Sequence, residues 1–338
     1  MKIIGGQEKS QTVQGDHWRR IKQDWSAAGF EVSGEKKSIH GPESIQFMDK
    51  VVGAASWQLG VMRNGFTPEF QSDPPRYKEK NNRSAINNES VVQDKIQEWV
   101  TQGYVTVLDE QPHCCNPLSV AEKRDGDTGL VKKRVVLDMS RHVNNYVVKQ
   151  NVQLDDLAAT EAMRHRGEYQ CVFDLENQYF HVQLHPDVRK YFGFAWTGAD
   201  GVERYYCFTV MVYGFAPAAA VVTRLIKPIM GFLHEEGVRI SIYMDDGNVV
   251  GATQEEATEA MDLAVTAFQL GGWNIQWKKS DLQAKSQVKY LGFMVDLADF
   301  TYSAASSKVQ DVEADIQAFM NPEQIYKVKF SNNLFKLQ

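Results

Sequence analysis

The stretch Tyr243-Met244-Asp245-Asp246-Gly247 lies between two short runs rich in β-branched residues, 238–242 and 248–252. Asp-Gly between such runs is a strong signal for a tight turn that joins antiparallel strands. The pattern therefore predicts a β-hairpin with two carboxylates at its tip. Because adjacent anions repel each other, the pair suits either a solvated surface turn or a divalent cation, and oxygen ligands favour magnesium or manganese.

A third carboxylate, Asp174, ends the strand-like run 169–173. A strand beside the hairpin would bring Asp174 close to Asp245 and Asp246. Three carboxylates at one corner form a ligand set for two cations, an arrangement that suits phosphoryl transfer. One cation activates the attacking hydroxyl, and the other neutralises the departing pyrophosphate.

Two helices are predicted around these strands. Residues 89–100 have helical periodicity, with Gly103 as the closing residue. Residues 253–256 resemble a capping box that opens a second helix ending near residue 270. A helix in this position would pack behind the carboxylate hairpin.

Five blocks of sequence, taken in chain order, resemble the palm motifs of reverse transcriptases, most closely those of retrotransposon polyproteins. The first block contains Asp174, and the third is the hairpin tip. The blocks are residues 173–186, 213–218, 243–246, 272–280 and 290–293. The similarity covers roughly residues 57–297, and five ordered motifs make a chance resemblance negligible.

The resemblance implies an α+β fold of the right-hand polymerase type, with fingers, an antiparallel palm sheet and an incomplete thumb. Residues 1–56 have no readable role, 57–165 are expected to be mainly fingers, 166–297 the palm with a returning fingers segment, and 298–338 the start of a truncated thumb. Only 45 residues follow Phe293. Ribonuclease H and integration domains are therefore expected to be supplied elsewhere.

The resemblance also implies the catalytic roles. Asp174, Asp245 and Asp246 would hold two magnesium ions, with manganese as the alternative metal. Lys279 would protonate the departing pyrophosphate as a general acid, with Lys278 as its close competitor.

Further positions would bind the incoming nucleotide. Lys123 and Arg134 match fingers residues that meet the triphosphate, where a guanidinium binds phosphate oxygens bidentately. Tyr179 matches the aromatic ring beneath the sugar, which excludes a 2′-hydroxyl and selects deoxynucleotides; ordinary core packing is its alternative role. Tyr213 and Gly214 belong to the second block, where glycine lets the chain pass close to the nascent base pair.

The fifth block would contact the primer. Tyr290, Leu291 and Gly292 match the turn that grips the primer end. The chain carries a net charge of −6, but residues 121–141 are net +2 and residues 277–289 net +3. Such strips suit a nucleic-acid backbone, although a solvated hairpin face remains the alternative for each.

These features together predict an RNA-directed DNA polymerase that extends a primer on an RNA or DNA template with deoxynucleoside triphosphates. Val212, Pro217 and Ala219 depart from the family pattern, and the expected thumb is incomplete. Both features leave open a catalytically inactive nucleic-acid-binding remnant of a retroelement. An RNA-templated RNA polymerase shares the palm but would carry a small polar residue in place of Tyr179.

Composition adds two expectations. No apolar run reaches the roughly 18 residues needed to span a membrane, so no membrane association is expected. The four cysteines lack Cys-x-x-Cys spacing, which favours reduced thiols and an intracellular location, with cytoplasm and nucleus both open.

Overall fold

The computed structural model describes residues 7–124, 130–152, 154–155 and 157–304, with the isolated positions 309, 312, 313 and 316. For residues 7–13, 123, 124 and 159 only the backbone is described. Much of the segment 298–338, expected to begin a thumb, therefore lies outside the described residues.

The described residues form helices, strands and two 3₁₀ turns, Gln178–His181 and Pro186–Tyr191. The helices are α1 (Gln7–Ala27), α2 (Pro42–Lys50), α3 (Ser56–Asn64), α4 (Arg83–Ile86), α5 (Glu89–Thr101), α6 (Val143–Tyr146), α7 (Leu157–Glu161), α8 (Ala218–Glu235) and α9 (Gln254–Leu270). The strands are β1 (Tyr77–Lys78), β2 (Val105–Leu108), β3 (Cys114–Cys115), β4 (Leu118–Arg124), β5 (Val131–Leu137), β6 (Tyr169–Asp174), β7 (Gly193–Thr197), β8 (Glu203–Phe208), β9 (Arg239–Tyr243), β10 (Asp246–Gly251), β11 (Asp281–Lys285), β12 (Gln287–Tyr290), β13 (Phe293–Asp296) and β14 (Thr301–Ala304).

The strands assemble into sheets that are mostly antiparallel. The central sheet has the order β11-β6-β10-β9 and is antiparallel throughout. The terminal sheet, β12-β13-β14, is also antiparallel, and β4 pairs with β5 as a separate hairpin. A five-stranded distal sheet has the order β1-β3-β7-β8-β2 and includes two parallel pairings. This mixture of helices and antiparallel sheets confirms the predicted α+β class.

Both predicted helices are present. The first is α5, and Gly103 with its positive φ follows its end. The second is α9, which begins after Thr253, whose side chain accepts a hydrogen bond from the main-chain N–H of Glu256 at 3.1 Å. This bond satisfies one of the free N–H groups at the helix start. The apolar face of α9 packs behind β6, β10 and β11, as the sequence predicts.

The N-terminal segment, for which the sequence indicates no role, packs against the helices behind the central sheet. Helix α1 lies along α9. Trp18 is buried and its indole N–H donates to the carbonyl of Glu236 at 2.8 Å. Farther along, the main chain of Lys37 exchanges two hydrogen bonds, 3.1 and 3.0 Å, with the amide side chain of Asn274. The segment therefore braces the region that supports the carboxylate hairpin.

The hairpin forms as predicted, but its turn is displaced. Tyr243 pairs with Asp246, so the two turn residues are Met244 and Asp245, and Asp246 with Gly247 already belongs to β10. Gly247 is required for packing rather than for the turn. An added Cβ at this position would lie 2.2 to 2.7 Å from ring atoms of Phe173, the buried residue opposite it on β6.

Among the described helices, none combines the length and the apolar character that crossing a bilayer requires.

Replacing Gly247 by alanine is expected to destabilise the fold by about 1–3 kcal/mol, the scale of overpacking in a closed core. Urea denaturation of Gly247→Ala measures this free energy of unfolding. Gly231→Ala in α8 is the control, because among the described residues nothing beyond the adjoining helix backbone lies within 4 Å of its added Cβ. The control is expected to stabilise the protein by about 0.5–1 kcal/mol through helix propensity. Equal effects of the two substitutions would contradict this account.

Candidate active site

The register of β6 and β10 places two carboxylates opposite each other. Asp174 pairs directly with Asp246, and directly paired residues of an antiparallel ladder project from the same face of the sheet. Asp245 follows in the turn, and its carbonyl accepts a hydrogen bond from the N–H of Leu175 at 2.9 Å. All three predicted acidic residues therefore lie at one end of the central sheet.

The turn itself is strained. Met244 has a φ of 59°, a left-handed backbone conformation that residues other than glycine and asparagine rarely adopt. Its sulfur atom lies 3.9 Å from the hydroxyl oxygen of Tyr179. Residues held in such conformations cluster at functional sites, where the surrounding structure fixes them.

Asp174 is already neutralised by a lysine. The Lys279 ammonium donates to both carboxylate oxygens of Asp174, at 3.1 and 2.9 Å. Asp174 is 7% exposed, and its main-chain N–H donates to the hydroxyl of Ser280 at 3.1 Å. Of the two lysines proposed from the sequence, Lys278 and Lys279, it is Lys279 that contacts Asp174.

Asp245 is destabilised in its charged form. Burial, and secondly the negative charge of Asp174, raise the pKa of Asp245. Lys279 and Arg134 oppose this shift without cancelling it. The corner of the sheet therefore concentrates negative charge in a half-buried place.

The same corner suits a divalent cation by its chemistry. Three carboxylates at one sheet end are oxygen ligands of the kind that magnesium prefers. Among the described residues, no three His, Cys, Asp or Glu side chains are already arranged to hold a metal ion. The ion pair of Asp174 with Lys279 is relevant here, because the ammonium contacts both carboxylate oxygens that a metal ion would use.

Two tyrosines border the carboxylates. Tyr179 is buried, and its ring lies edge-on to that of Tyr213 with 4.7 Å between centroids. Burial, then Tyr213 and Asp245, raise the pKa of Tyr179 to about 12. Burial, then Asp245, raise the pKa of Tyr213 to about 12, while Arg134 acts in the opposite direction. Both phenols therefore stay neutral hydrogen-bond donors beside the acidic corner.

The β4-β5 hairpin brings a cation toward this corner. Arg134 lies on β5, is exposed, and is close enough to influence the pKa of Asp245 and Tyr213. Lys123 lies on β4 opposite Lys132, but its side chain is outside the described residues.

Gly214 lies against the base of the same hairpin. Its φ is 103°, and an added Cβ would lie 2.1 Å from the carbonyl oxygen of Leu137. The side chain of Asn144 fixes the loop, since its amide donates to the Gly214 carbonyl at 2.8 Å and its oxygen accepts from Ala216 N–H at 3.0 Å. Glycine therefore allows the second block to touch β5.

The fifth block forms a tight turn between β12 and β13. Tyr290 pairs with Phe293, and the two residues between them, Leu291 and Gly292, have φ values of 48° and 79°. Positive φ at both central positions is the requirement of a type I′ turn. The Tyr290 hydroxyl donates to the main-chain carbonyl of Asp246 at 3.4 Å, which joins this turn to the carboxylate hairpin.

Sequence reasoning missed the supporting residues Ser280, Asn274 and His181. Ser280 and Asn274 lie within the fourth block, so the sequence identified the motif that contains them. It did not indicate which groups they would bond to. Asn274 N–H donates to Nε2 of His181 at 3.0 Å, and the His181 ring packs on Trp273. Burial lowers the pKa of His181 to about 4.

His181 is expected to make stability depend on pH. The folded protein keeps the ring neutral down to about pH 4, whereas the unfolded chain takes up a proton below pH 6.5. Stability from this residue is therefore complete above pH 6.5 and is lost as the pH falls toward 4. His181→Asn keeps an acceptor for Asn274 without the titration. The wild-type advantage in unfolding free energy over this variant is expected to shrink by about 3 kcal/mol across that window.

Urea denaturation of both proteins at several pH values measures this difference. A difference that stays constant between pH 6.5 and the acid limit would refute the assignment to His181.

Comparisons with known proteins identify the family and the fold of this chain. The family model described as reverse transcriptase (RNA-dependent DNA polymerase) matches residues 127–295, half of the chain. The Gag-Pol polyprotein of avian reticuloendotheliosis virus is 29% identical over 128 residues, which cover 37% of this chain and 11% of the polyprotein. A solved foamy viral protease-reverse transcriptase dRH in complex with ds DNA has a similar fold, with a TM-score of 0.59, 19% identity, and coverage of 82% of this chain and 49% of that chain. The chain thus spans about a tenth of the polyprotein and about half of the structural relative.

Proposed function

Because this chain belongs to the reverse transcriptase family, we propose that it is an RNA-directed DNA polymerase, a nucleotidyltransferase that adds deoxynucleotides to a primer. The observation that carries this proposal is the pairing of Asp174 with Asp246 across two strands, with Asp245 in the adjoining turn. Carboxylates gathered at one sheet end suit phosphoryl transfer, in which positioning and charge stabilisation supply most of the catalysis.

Asp174, Asp245 and Asp246 would hold two magnesium ions, or manganese in their place. When bound, the ions would make the primer 3′-hydroxyl more acidic and offset charge on the departing pyrophosphate. The raised pKa of Asp245 supports this assignment, since a half-buried carboxylate beside another anion is stabilised by a nearby cation.

The remaining roles belong to side chains around this corner. Lys279, whose ammonium lies on Asp174, would supply a proton to the pyrophosphate. Arg134, and Lys123 on the facing strand, would meet the triphosphate. Tyr213 and Gly214 would line the nascent base pair.

Tyr179 would select the sugar. Its buried ring stands between Met244 and Tyr213, beside the acidic turn, so it is held from two sides. A fixed ring at this place leaves no room for a 2′-hydroxyl, which favours DNA as the product and disfavours an RNA-templated RNA polymerase.

The partners follow from the same proposal. The chain would act on an RNA or DNA template with its primer and on deoxynucleoside triphosphates; the foamy viral relative is described in complex with ds DNA. The turn of Tyr290, Leu291 and Gly292 would grip the primer. The relation to a Gag-Pol polyprotein supports a retroelement polyprotein as the source, with ribonuclease H and integration domains elsewhere.

An intracellular location and the division into fingers, palm and thumb remain part of this proposal. The four cysteines are free and buried, which is compatible with a reducing compartment.

Replacing Asp245 by asparagine tests the proposal. Asp245→Asn is expected to reduce magnesium-dependent primer extension on an RNA template by about 10²- to 10³-fold or more, the scale of removing a charge-stabilising group. Its thermal midpoint is expected to equal or exceed that of the wild type. Burial and Asp174 raise the pKa of Asp245 above its unfolded value, so its negative charge opposes folding at neutral pH.

Thermal denaturation with millimolar magnesium gives a second readout, in which the wild type is stabilised and Asp245→Asn responds less. Asp187→Asn removes a carboxylate that is 85% exposed and is the matched control. Equal extension by wild type and Asp245→Asn would defeat the proposal. Template binding without magnesium-dependent extension would instead establish the inactive nucleic-acid-binding remnant.

Replacing Tyr179 by valine tests sugar selection. Tyr179→Val is expected to increase incorporation of ribonucleotides relative to deoxynucleotides by about 10²-fold, because the ring that blocks the 2′-hydroxyl is gone. Tyr191→Val removes a ring of the same size from another buried position, beside Phe70, and controls for general loosening. An unchanged ratio of kcat/KM values in Tyr179→Val would show that another residue excludes the hydroxyl.

A further inference from the structure

Three buried polar side chains join the central sheet to the terminal sheet. Arg164, Gln170 and Asn248 are 2%, 0% and 0% exposed. The Gln170 amide donates to the carbonyls of Ser286 and Val295 at 3.0 and 3.1 Å. Asn248 donates to the Gln170 side-chain oxygen at 3.3 Å and accepts from the Arg164 guanidinium at 2.9 Å. These contacts run from β6 and β10 into the terminal sheet.

The guanidinium of Arg164 lies close to two aromatic rings of the terminal sheet. Its central carbon is 5.4 Å from the ring centroid of Tyr290 and 5.8 Å from that of Tyr302. Both distances are within the range of a cation–π contact. Arg164 therefore contacts both edge strands of this sheet, β12 through Tyr290 and β14 through Tyr302.

An arginine at this buried position costs the fold stability. In the described part of the chain, its Nε and Nη1 atoms have no hydrogen-bond partner, and neither does the Tyr302 hydroxyl. Leaving such donors unpaired in a buried place destabilises a fold, and an apolar side chain of similar length would fill the space without that penalty. A role other than stability accounts for an arginine here.

The contacts of Arg164 lead to the acidic corner by two routes. Asn248 lies on β10, two residues after Asp246. Tyr290, under the guanidinium, donates its hydroxyl to the Asp246 carbonyl at 3.4 Å and lies 3.5 Å from the Ser241 hydroxyl. Arg164 thus touches both strands that set the distance between the carboxylate hairpin and the Leu291-Gly292 turn.

We infer that Arg164 is a positioning residue that holds the Leu291-Gly292 turn at a fixed place relative to Asp246, and so aligns the end of the primer. The inference rests on the proposed function, because it takes this turn as a primer contact. Arg164 touches neither nucleotide nor metal in this role. It acts through Tyr290 and Asn248, which hold the two hairpins in register.

The test compares three variants. Arg164→Met removes the charge and keeps an extended apolar side chain. Arg164→Lys keeps a cation without the planar fork. Arg166→Met is the matched control, since Arg166 lies two residues away, is 71% exposed, and meets the β13-β14 turn only at the surface. Its Nε donates to the Ala298 carbonyl at 3.3 Å, and its guanidinium lies 3.6 Å from Asp299.

The first readout is amide hydrogen exchange, which needs no activity. In Arg164→Met, exchange in residues 287–304 is expected to accelerate by about tenfold while that of β6 stays unchanged, because only the terminal sheet loses its attachment. The thermal midpoint is expected to stay level or rise, since an unpaired buried charge is removed. Arg166→Met should match the wild type in both measurements.

The second readout is steady-state primer extension. Arg164→Met is expected to lower kcat/KM for the primer–template by about tenfold and to change the KM for deoxynucleotides by less than about twofold. Arg164→Lys is expected to recover part of the loss. A residue with a merely structural role would lower thermal stability and affect both substrates alike.

Unchanged exchange in residues 287–304 of both Arg164 variants would overturn the inference, as would equal losses of kcat/KM in Arg164→Met and Arg166→Met. If the wild-type protein does not extend primers, the proposed polymerase function fails by itself. The exchange measurement still decides the matter in that case: faster exchange supports Arg164 as the residue that holds the turn, and unchanged exchange overturns it.

Discussion

The antiparallel pairing of β6 with β10 is the constraint on which the rest of the structure depends. It sets Asp174 opposite Asp246 and therefore places like charges on one face of a rigid sheet. A shift of one residue in this register would turn one carboxylate to the other face. The register is fixed next to the acids, where the ring of Phe173 lies over Gly247 and leaves no space for any other side chain.

Holding like charges together requires support from outside the sheet. Lys279 supplies one positive charge directly to Asp174. Helix α9 gives the sheet an apolar backing, and the N-terminal segment bonds to Asn274, whose neighbour Ile275 forms a bridge with Leu175 just after Asp174. The N-terminal segment thus stabilises the loop that follows the first carboxylate.

Local signals made the central part of this arrangement predictable. The β-branched runs identified β9 and β10, and Thr253 identified the start of α9, because each signal depends on near neighbours in sequence. The turn was predicted at Asp246-Gly247 and instead lies at Met244-Asp245. Asp-Gly is a good turn signal, but here the glycine is required by Phe173, a residue far away in the chain.

Tertiary contacts decide what the sequence left open. The N-terminal segment appeared polar and without a role, although Trp18 and its neighbours bury themselves against distant helices. Arg164 carries no motif, and a lone arginine is ordinarily exposed. Its importance follows only from burial among Asn248 and two tyrosines, which no spacing in the sequence announces.

Three departures from favourable local chemistry lie in the β9-β10 hairpin or contact it. Met244 has a left-handed backbone, Asp245 carries a charge that its surroundings disfavour, and Arg164 keeps two donors unpaired. Folding alone would be served better by glycine, asparagine and an apolar side chain at these positions. Because natural sequences are mostly locally consistent, three such departures in contact with one hairpin indicate selection for something other than stability. This hairpin carries Asp245 and Asp246 and pairs with the strand that carries Asp174, so the cost in stability and the proposed chemistry involve the same hairpin.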